Sequence, residues 1–271
     1  MGRFDSSKTR VQPVFRALHR LDPSGERWLR SLLQIAGRGS EPKPPSIPFD
    51  IGTLKQGIGK GTDPNRGVCF EFRVDPPRAF LKWLVEHPEK LRCPPDSEWQ
   101  KWSDRTRNKR RALLNGDRPV QAEALTEIGR TPLRSRGWWR LEGRTSVDCA
   151  LFTETAVIFI EGKRTERGPS KNIVWYAEER DQVLRNLDCA AEYAREHKIP
   201  YFFALMVIEK VVHDEEALNR TITDPISTRK SLPHLDEYSR RDLLSHYLGT
   251  TTWQGIVETF SLPRHVLRGI V

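Results

Sequence analysis

Val147-Asp148-Cys149-Ala150-Leu151-Phe152-Thr153-Glu154-Thr155-Ala156-Val157-Ile158-Phe159-Ile160-Glu161-Gly162-Lys163 decides the fold. Two almost wholly apolar runs, 147–152 and 156–160, flank Thr153, Glu154 and Thr155. Runs this short, with β-branched and aromatic residues, predict two strands joined in a hairpin. Strands apolar on both faces must be covered on both, which predicts an α/β core. A turn at Glu154-Thr155 sets Thr153 opposite Ala156 and Phe152 opposite Val157. Continued, it sets Asp148 opposite Glu161 and Ser146 opposite Lys163. Opposed Cβ atoms lie about 4.5–5.5 Å apart. A four-residue loop with the same centre keeps this pairing, and a three-residue loop shifts it. Residues two apart on a strand share a side, so Glu161 and Lys163 project together from the strand end.

Two carboxylates and one ammonium therefore converge at the end of an apolar hairpin. Carboxylates this close repel, and a divalent cation between them relieves the repulsion. Oxygen ligands favour Mg2+ or Mn2+ over zinc. Such a metal polarises a phosphoryl oxygen and activates water, with Lys163 orienting that water or offsetting transition-state charge. The chemistry is phosphodiester hydrolysis. The competing reading is a buried salt bridge of Lys163 with one carboxylate, seldom a net stabilising device.

The flanking elements extend the core on both sides. Val120, Ala124, Leu125 and Ile128 predict a short amphipathic helix ended by Gly129 and Pro132. Residues 138–141 read as a strand, 176–197 as a helix with Val183, Leu184, Leu187, Ala190, Ala191 and Ala194 at helical spacing, and 201–208 as a fourth apolar strand. The order is helix, three strands, helix, strand.

Asp148 and Glu161-Gly162-Lys163, on a hairpin in this order, resemble the PD-(D/E)XK nuclease superfamily over about residues 120–208. The resemblance implies a restriction-endonuclease-like α/β core with N-terminal α+β and C-terminal helical extensions. It implies Asp148 and Glu161 as metal ligands, the Gly162 carbonyl as a further ligand, and Lys163 as the catalytic lysine. Many members add a Glu from the preceding helix; Glu123 matches best, with Glu127 one turn on. Val147 stands in place of the Pro that names the motif. RecB-like members carry Gln and, four residues later, Tyr on the following helix. Gln182 matches the first, and Asn186 stands where the Tyr would. Gln182 and Arg185 are neighbours on a helix surface and are candidates to hold a phosphate or position Lys163. Restriction, defence and repair are the settings implied.

Further stretches are candidate nucleic-acid contacts. Residues 97–114 read as one long helix carrying Arg107, Lys109, Arg110 and Arg111, with Trp99 and Trp102 packing inward. One-signed charge favours a nucleic-acid face over a solvated one. The loop after the motif adds Arg164 and Lys171. Arg134, Arg136, Trp138, Trp139 and Arg140 form a second basic and aromatic stretch.

Twelve of the 19 prolines fall in the first 100 residues and break that part into short pieces. A helix is expected at 26–35, a Pro/Ser/Gly linker at 39–48, a strand at 68–74 and a helix at 78–87. Gly57-Ile58-Gly59-Lys60-Gly61-Thr62 lacks the Gly spacing of a phosphate loop and reads as a turn. Residues 235–248 and 251–260 read as helices. The expected division is 1–115 N-terminal region, 116–212 nuclease core and 213–271 helical extension packed on the core.

The chain has 271 residues, 45 Lys and Arg against 36 Asp and Glu, and a net charge of +9. That balance favours a polyanion, DNA before RNA. No apolar run approaches 18 residues, and residues 1–20 hold no apolar signal region, so a cytoplasmic protein without membrane association is expected. Of the four cysteines, Cys69, Cys93, Cys149 and Cys189, no two form a Cys-x-x-Cys pair, which argues against zinc. Cys149 and Cys189 read as buried thiols. The expected activity is Mg2+- or Mn2+-dependent nucleic-acid hydrolysis, by a homodimer or with a partner subunit. The alternatives are an inactive binding module of the same fold and an RNA-directed nuclease.

Overall fold

The computed structural model describes residues 6–35, 47–48, 50–92, 96–130, 133, 141–163, 180–210 and 215–267. In chain order the elements are α1 (Gln12–Leu21), α2 (Leu29–Ile35), β1 (Ile58–Lys60), β2 (Val68–Val74), α3 (Arg78–Glu86), α4 (Asp96–Trp99), α5 (Asp104–Leu114) and α6 (Arg118–Gly129). There follow β3 (Thr145–Phe152), β4 (Ala156–Gly162), α7 (Gln182–His197), β5 (Tyr201–Ile208), α8 (Glu215–Thr223), α9 (Pro225–Ser231), α10 (Glu237–Leu244), β6 (Tyr247–Thr252) and α11 (Trp253–Thr259). A π-helical turn, Ser7–Val11, leads into α1.

The strands form one six-stranded sheet in the order β1-β2-β3-β4-β5-β6. β2 and β4 flank β3 antiparallel, while β1–β2, β4–β5 and β5–β6 are parallel. The fold is mixed α/β. Segments 1–115, 116–212 and 213–271 each contribute strands, so the expected division does not separate sheets. The neighbour of β3 is β2, from the N-terminal segment. The strand expected at 138–141 lies outside the described residues except for Leu141, which is buried beside α3 and α6.

Both faces of the sheet are covered, as the apolar strands require. Phe15 and Leu18 of α1, Leu32 of α2 and Trp253 of α11 pack on Leu151, Ile158, Ile160 and Leu205. α7 covers the other face, with Ala190 and Tyr193 against Phe152, Val157 and Phe159, and with Leu184 and Leu187 against Ala204 and Met206. The hairpin adopts the register expected from a Glu154-Thr155 turn, with Cys149 opposite Ile160 and Phe152 opposite Val157. The Thr153 hydroxyl stabilises that turn by accepting from Ala156 N at 2.8 Å and Thr155 N at 3.2 Å.

Several local boundaries differ from expectation. The helix expected at 97–114 breaks into α4 and α5, because Ser103 caps α5 by accepting from Thr106 N. α7 begins at Gln182, because the Asp181 carboxylate accepts from Val183 N and Leu184 N. Residues 235–248 and 251–260 are not two helices, since β6 occupies 247–252 and all six of its residues are buried. Tyr247, Thr250, Thr251 and Thr252 favour strand once a neighbouring edge is present. The Gly57–Thr62 stretch holds β1, flanked by Gly57 and Gly61 at φ 81° and 84°. Among the described residues no helix is long and apolar enough to cross a membrane. Cys69, Cys149 and Cys189 are free and buried, and burial pushes all three thiols up.

One irregularity positions the site. Phe70 and Phe72 are two apart yet pack on opposite faces of the sheet, as do Cys149 and Val147 facing them. Between Phe70 and Phe72, Glu71 takes φ 49°, a left-handed conformation that reverses the alternation. That conformation strains a side-chain-bearing residue by about 1–2 kcal/mol. Glu71→Val, which puts a β-branched side chain there, is expected to lower unfolding free energy by about 1–2 kcal/mol, with Glu71→Gly spared that loss. Urea unfolding checks it, and equal midpoints for the two variants would refute the strain.

Candidate active site

The C-terminal end of β4 carries Glu161, Gly162 and Lys163. Along β4, Ile158, Ile160 and Gly162 face α1 and α11, and Val157, Phe159, Glu161 and Lys163 face α7. Glu161 and Lys163 therefore meet the N-terminal half of α7. The Lys163 Nζ lies 2.9 Å from Glu161 Oε1 and donates to Gln182 Oε1 at 2.9 Å. The Asn186 amide donates to Glu161 Oε2 at 3.0 Å, and Thr145 Oγ1 donates to Asn186 Oδ1 at 3.4 Å. Gln182 and Asn186 are four apart on α7, which puts them on one helix face over the pair.

Both partners of the pair are removed from water, with side-chain exposure of 5% for Lys163 and 3% for Glu161. Burial pushes the Glu161 carboxyl up from its usual value, opposed by Lys163 and Asn186. Burial likewise raises Asp181, opposed by the N–H groups of Leu184 and Val183 and by the charge of Lys163. A small pocket reaches Lys163 between Asp181, Gln182, Met206 and Ile222.

Asp148 sits at the phase reversal of β3, and its Oδ2 accepts from Gly162 N at 2.9 Å. The hairpin thus brings Asp148 to the Glu161-Gly162-Lys163 run. Gly162 has no room for a side chain: a Cβ there would meet Val11 Cγ2 at 2.5 Å and Trp253 Cζ2 at 2.9 Å. The Trp253 indole donates to the Lys163 carbonyl at 3.1 Å, and Lys163 N donates to Val207 O at 2.8 Å. The main chain at the strand end is held from both sides.

Asp148, Glu161 and the Gly162 carbonyl are the hard oxygen donors that Mg2+ or Mn2+ takes. Among the described residues no group of three or more His, Cys, Asp or Glu is gathered to hold a metal. Only two of these candidate donors are carboxylates, and Lys163 Nζ lies against Glu161 Oε1. The residues fit a divalent cation in donor type and demand that Lys163 yield that oxygen.

Other expected contributors lie elsewhere. Glu123 is exposed on α6 and ion-paired with Lys109 of α5, and Glu127 is paired with Arg130 at 2.8 Å. Of the basic set, Arg107 is paired with Asp104. Arg110 is 5% exposed and stacks over Trp102 at 5.2 Å, and Arg111 stacks over Trp99 at 5.5 Å. Trp99 and Trp102 are half-buried against each other, 5.5 Å between ring centroids. These cations are engaged by nearby carboxylates and rings; only Arg111 stands exposed on α5 among the four. Arg164, Lys171 and the Arg134–Arg140 stretch lie outside the described residues.

Arg185 is not surface-directed. It lies 4% exposed, with Nε 2.8 Å from Glu142 Oε1 and Nη2 donating to Gly143 O. Glu142 also receives Arg180 Nη1 at 2.7 Å, while Arg180 Nη2 reaches Asp188 Oδ2 at 2.5 Å and Nε reaches Ser231 O. The Arg180 guanidinium stacks on Phe80 at 3.9 Å. Burial would raise Asp188, but His234 and Arg180 hold it below its usual value. This network fastens α7 to the 141–144 stretch, α3 and α9. Sequence reading missed Asn186 as a partner of Glu161, and Glu142 and Arg180 altogether. Asn186 was on view at helical spacing from Gln182, whereas Glu142 and Arg180 carry no spacing signal.

Arg185→Ala is expected to destabilise the protein by about 3–5 kcal/mol, since Glu142 would lose a buried partner. The same variant is expected to leave the salt dependence of nucleic-acid binding unchanged. A thermal melt with a salt titration checks both, and an unchanged melt with a flattened slope would put Arg185 on a ligand instead. Comparison with protein-family models, with curated proteins and with solved structures yields no match to this chain.

Proposed function

We propose that the chain is a divalent-metal-dependent phosphodiesterase acting on nucleic acid, DNA first, with a core of the restriction-endonuclease-like type. The observation that carries this reading is the charged group at one strand end: Asp148 on Gly162 N, and Glu161 with Lys163, all on one apolar hairpin. Glu161 and Lys163 are closed from water and Asp148 is half-buried beside them, and charge gathered in this way at a sheet end is a feature of functional sites. The net charge of +9 supports a polyanionic substrate.

Asp148, Glu161 and the Gly162 carbonyl would hold the cation, which when bound would polarise a phosphoryl oxygen. Lys163, released from Glu161, keeps Gln182 as its anchor and presents an ammonium beside the reacting phosphate, where it offsets developing negative charge. Asn186 donates to the second oxygen of Glu161 and so holds the carboxylate in one orientation. The apolar hairpin beneath keeps the local dielectric low and strengthens each of these interactions.

A second reading, a binding module without catalysis, is favoured by the mutual saturation of Glu161 and Lys163 in the folded protein. A cleavage assay separates the two. Plasmid, linear duplex, single-stranded DNA and RNA are incubated with Mg2+, Mn2+ or EDTA. Wild type is expected to cut with metal, and Lys163→Ala to lose about 100-fold or more of that rate while still binding substrate. Cutting by Lys163→Ala at the wild-type rate would refute the assignment. Binding without cutting in every condition, with no Mn2+ uptake by calorimetry, would establish the second reading.

A further inference from the structure

A groove of about 940 Å3 lies between β2, α3 and the C-terminal half of α7. It is lined by Arg73, Arg78, Lys82, Arg144 and Arg195 against Asp75, Glu192 and Glu196. The carboxylates are engaged internally. Asp75 takes Arg144 through both oxygens, at 2.8 and 3.2 Å. Glu196 takes Arg78 at 2.8 Å, and Glu192 takes Arg195 at 2.7 Å. Arg73 and Lys82 are exposed and make no ion pair among the described residues. The groove therefore holds a surplus of positive charge that its own acids do not neutralise.

Its position relates it to the site. Val74 of β2 pairs with Thr145 of β3, so this end of the groove lies at the sheet edge where β3 begins and β4 ends. Arg144 stands four residues before Asp148. Of α7 the groove takes only the last turns, from Glu192 to His197, the end of the helix away from Gln182. Arg195 lies about 20 Å along the helix axis from Gln182 at 1.5 Å per residue. That span equals about six nucleotide steps of 3.4 Å on one DNA strand.

We infer that this groove is a backbone-tracking surface for the nucleic acid whose phosphodiester reaches the Asp148–Glu161–Lys163 site. The inference deepens the phosphodiesterase reading and rests on it for the identity of the polymer. Arg73 and Lys82 supply the unneutralised charges, and Arg144, held in place by Asp75, joins the groove to the site. Contacts of this type set affinity and register on the polymer and carry no base information. They need no bound metal.

The test is fluorescence anisotropy of labelled 20-mer DNA, single-stranded and duplex, in EDTA across a salt series. The proteins are wild type, Arg73→Glu/Lys82→Glu and Arg73→Ala/Lys82→Ala. Both positions are exposed, and matched thermal melts verify the fold. The charge-reversed pair is expected to bind at least about tenfold more weakly near 0.1 M salt. The Ala pair is expected to lower the salt slope by about two. Unchanged affinity and slope in both pairs would overturn the groove, as would equal displacement of DNA by poly-glutamate of matched charge, which would mark an acidic-protein surface. Parallel cleavage by wild type and Lys163→Ala keeps the two ideas distinct. Metal-dependent cutting with unaffected groove variants sinks the groove alone. Weakened binding by the variants of a protein that never cuts sinks the nuclease alone.

Discussion

The buried Glu161–Lys163 pair is the constraint around which the site end of the protein is arranged. Taking two charges out of water is expensive, and their mutual attraction offsets that only with good geometry and further hydrogen bonds. The fold supplies those from one element. Gln182 and Asn186, one turn apart on α7, take a second Lys163 N–H and the second Glu161 oxygen. A pair so enclosed has a defined geometry, and a defined geometry is what a reacting centre requires.

α7 can serve because it is itself held by charge. Arg180 and Arg185 meet Glu142 and Asp188 in a second buried network immediately behind the site. Removing one member would leave an uncompensated charge, so the network resists small displacements of the helix. Arg180 and Asp181 are adjacent: the first locks the approach to α7, the second caps its first turn. Helix start, helix position and the contacts to Lys163 are thus set within three residues.

The main chain at the strand end is equally constrained. Reversal of alternation at Glu71 and across from it in β3 leaves Asp148 free of the regular face pattern, and its carboxylate takes Gly162 N. Gly162 lies against Val11 and Trp253, so the N-terminal π-turn and α11 define one side of the site. Residues far apart in the chain close on the same few atoms, which explains why all three segments share one sheet.

The hairpin and its register were legible in the sequence, because two apolar runs around a short polar break admit few pairings and a buried face penalises slippage. That register carries Asp148 to the end of β4, and the reversal of alternation at Asp148, which no local pattern announces, lets its carboxylate take Gly162 N. The helix expected over 176–197, which the Asp181 cap starts at Gln182, the strands at 68–74 and 201–208 and the helix at 78–87 were legible from periodicity for the same reason. Tertiary structure decided the rest. Whether a basic residue faces water depends on which carboxylate folds beside it, so Arg185 and Arg110 read as surface charge and prove buried. β6 needs the edge of β5 to become a strand, and no local pattern announces that edge. Glu142 meets Arg180 and Arg185 across 38 and 43 positions of chain, a pairing that only the packing of α7 creates. Local spacing determines which face a residue occupies; what lies opposite that face belongs to the fold as a whole.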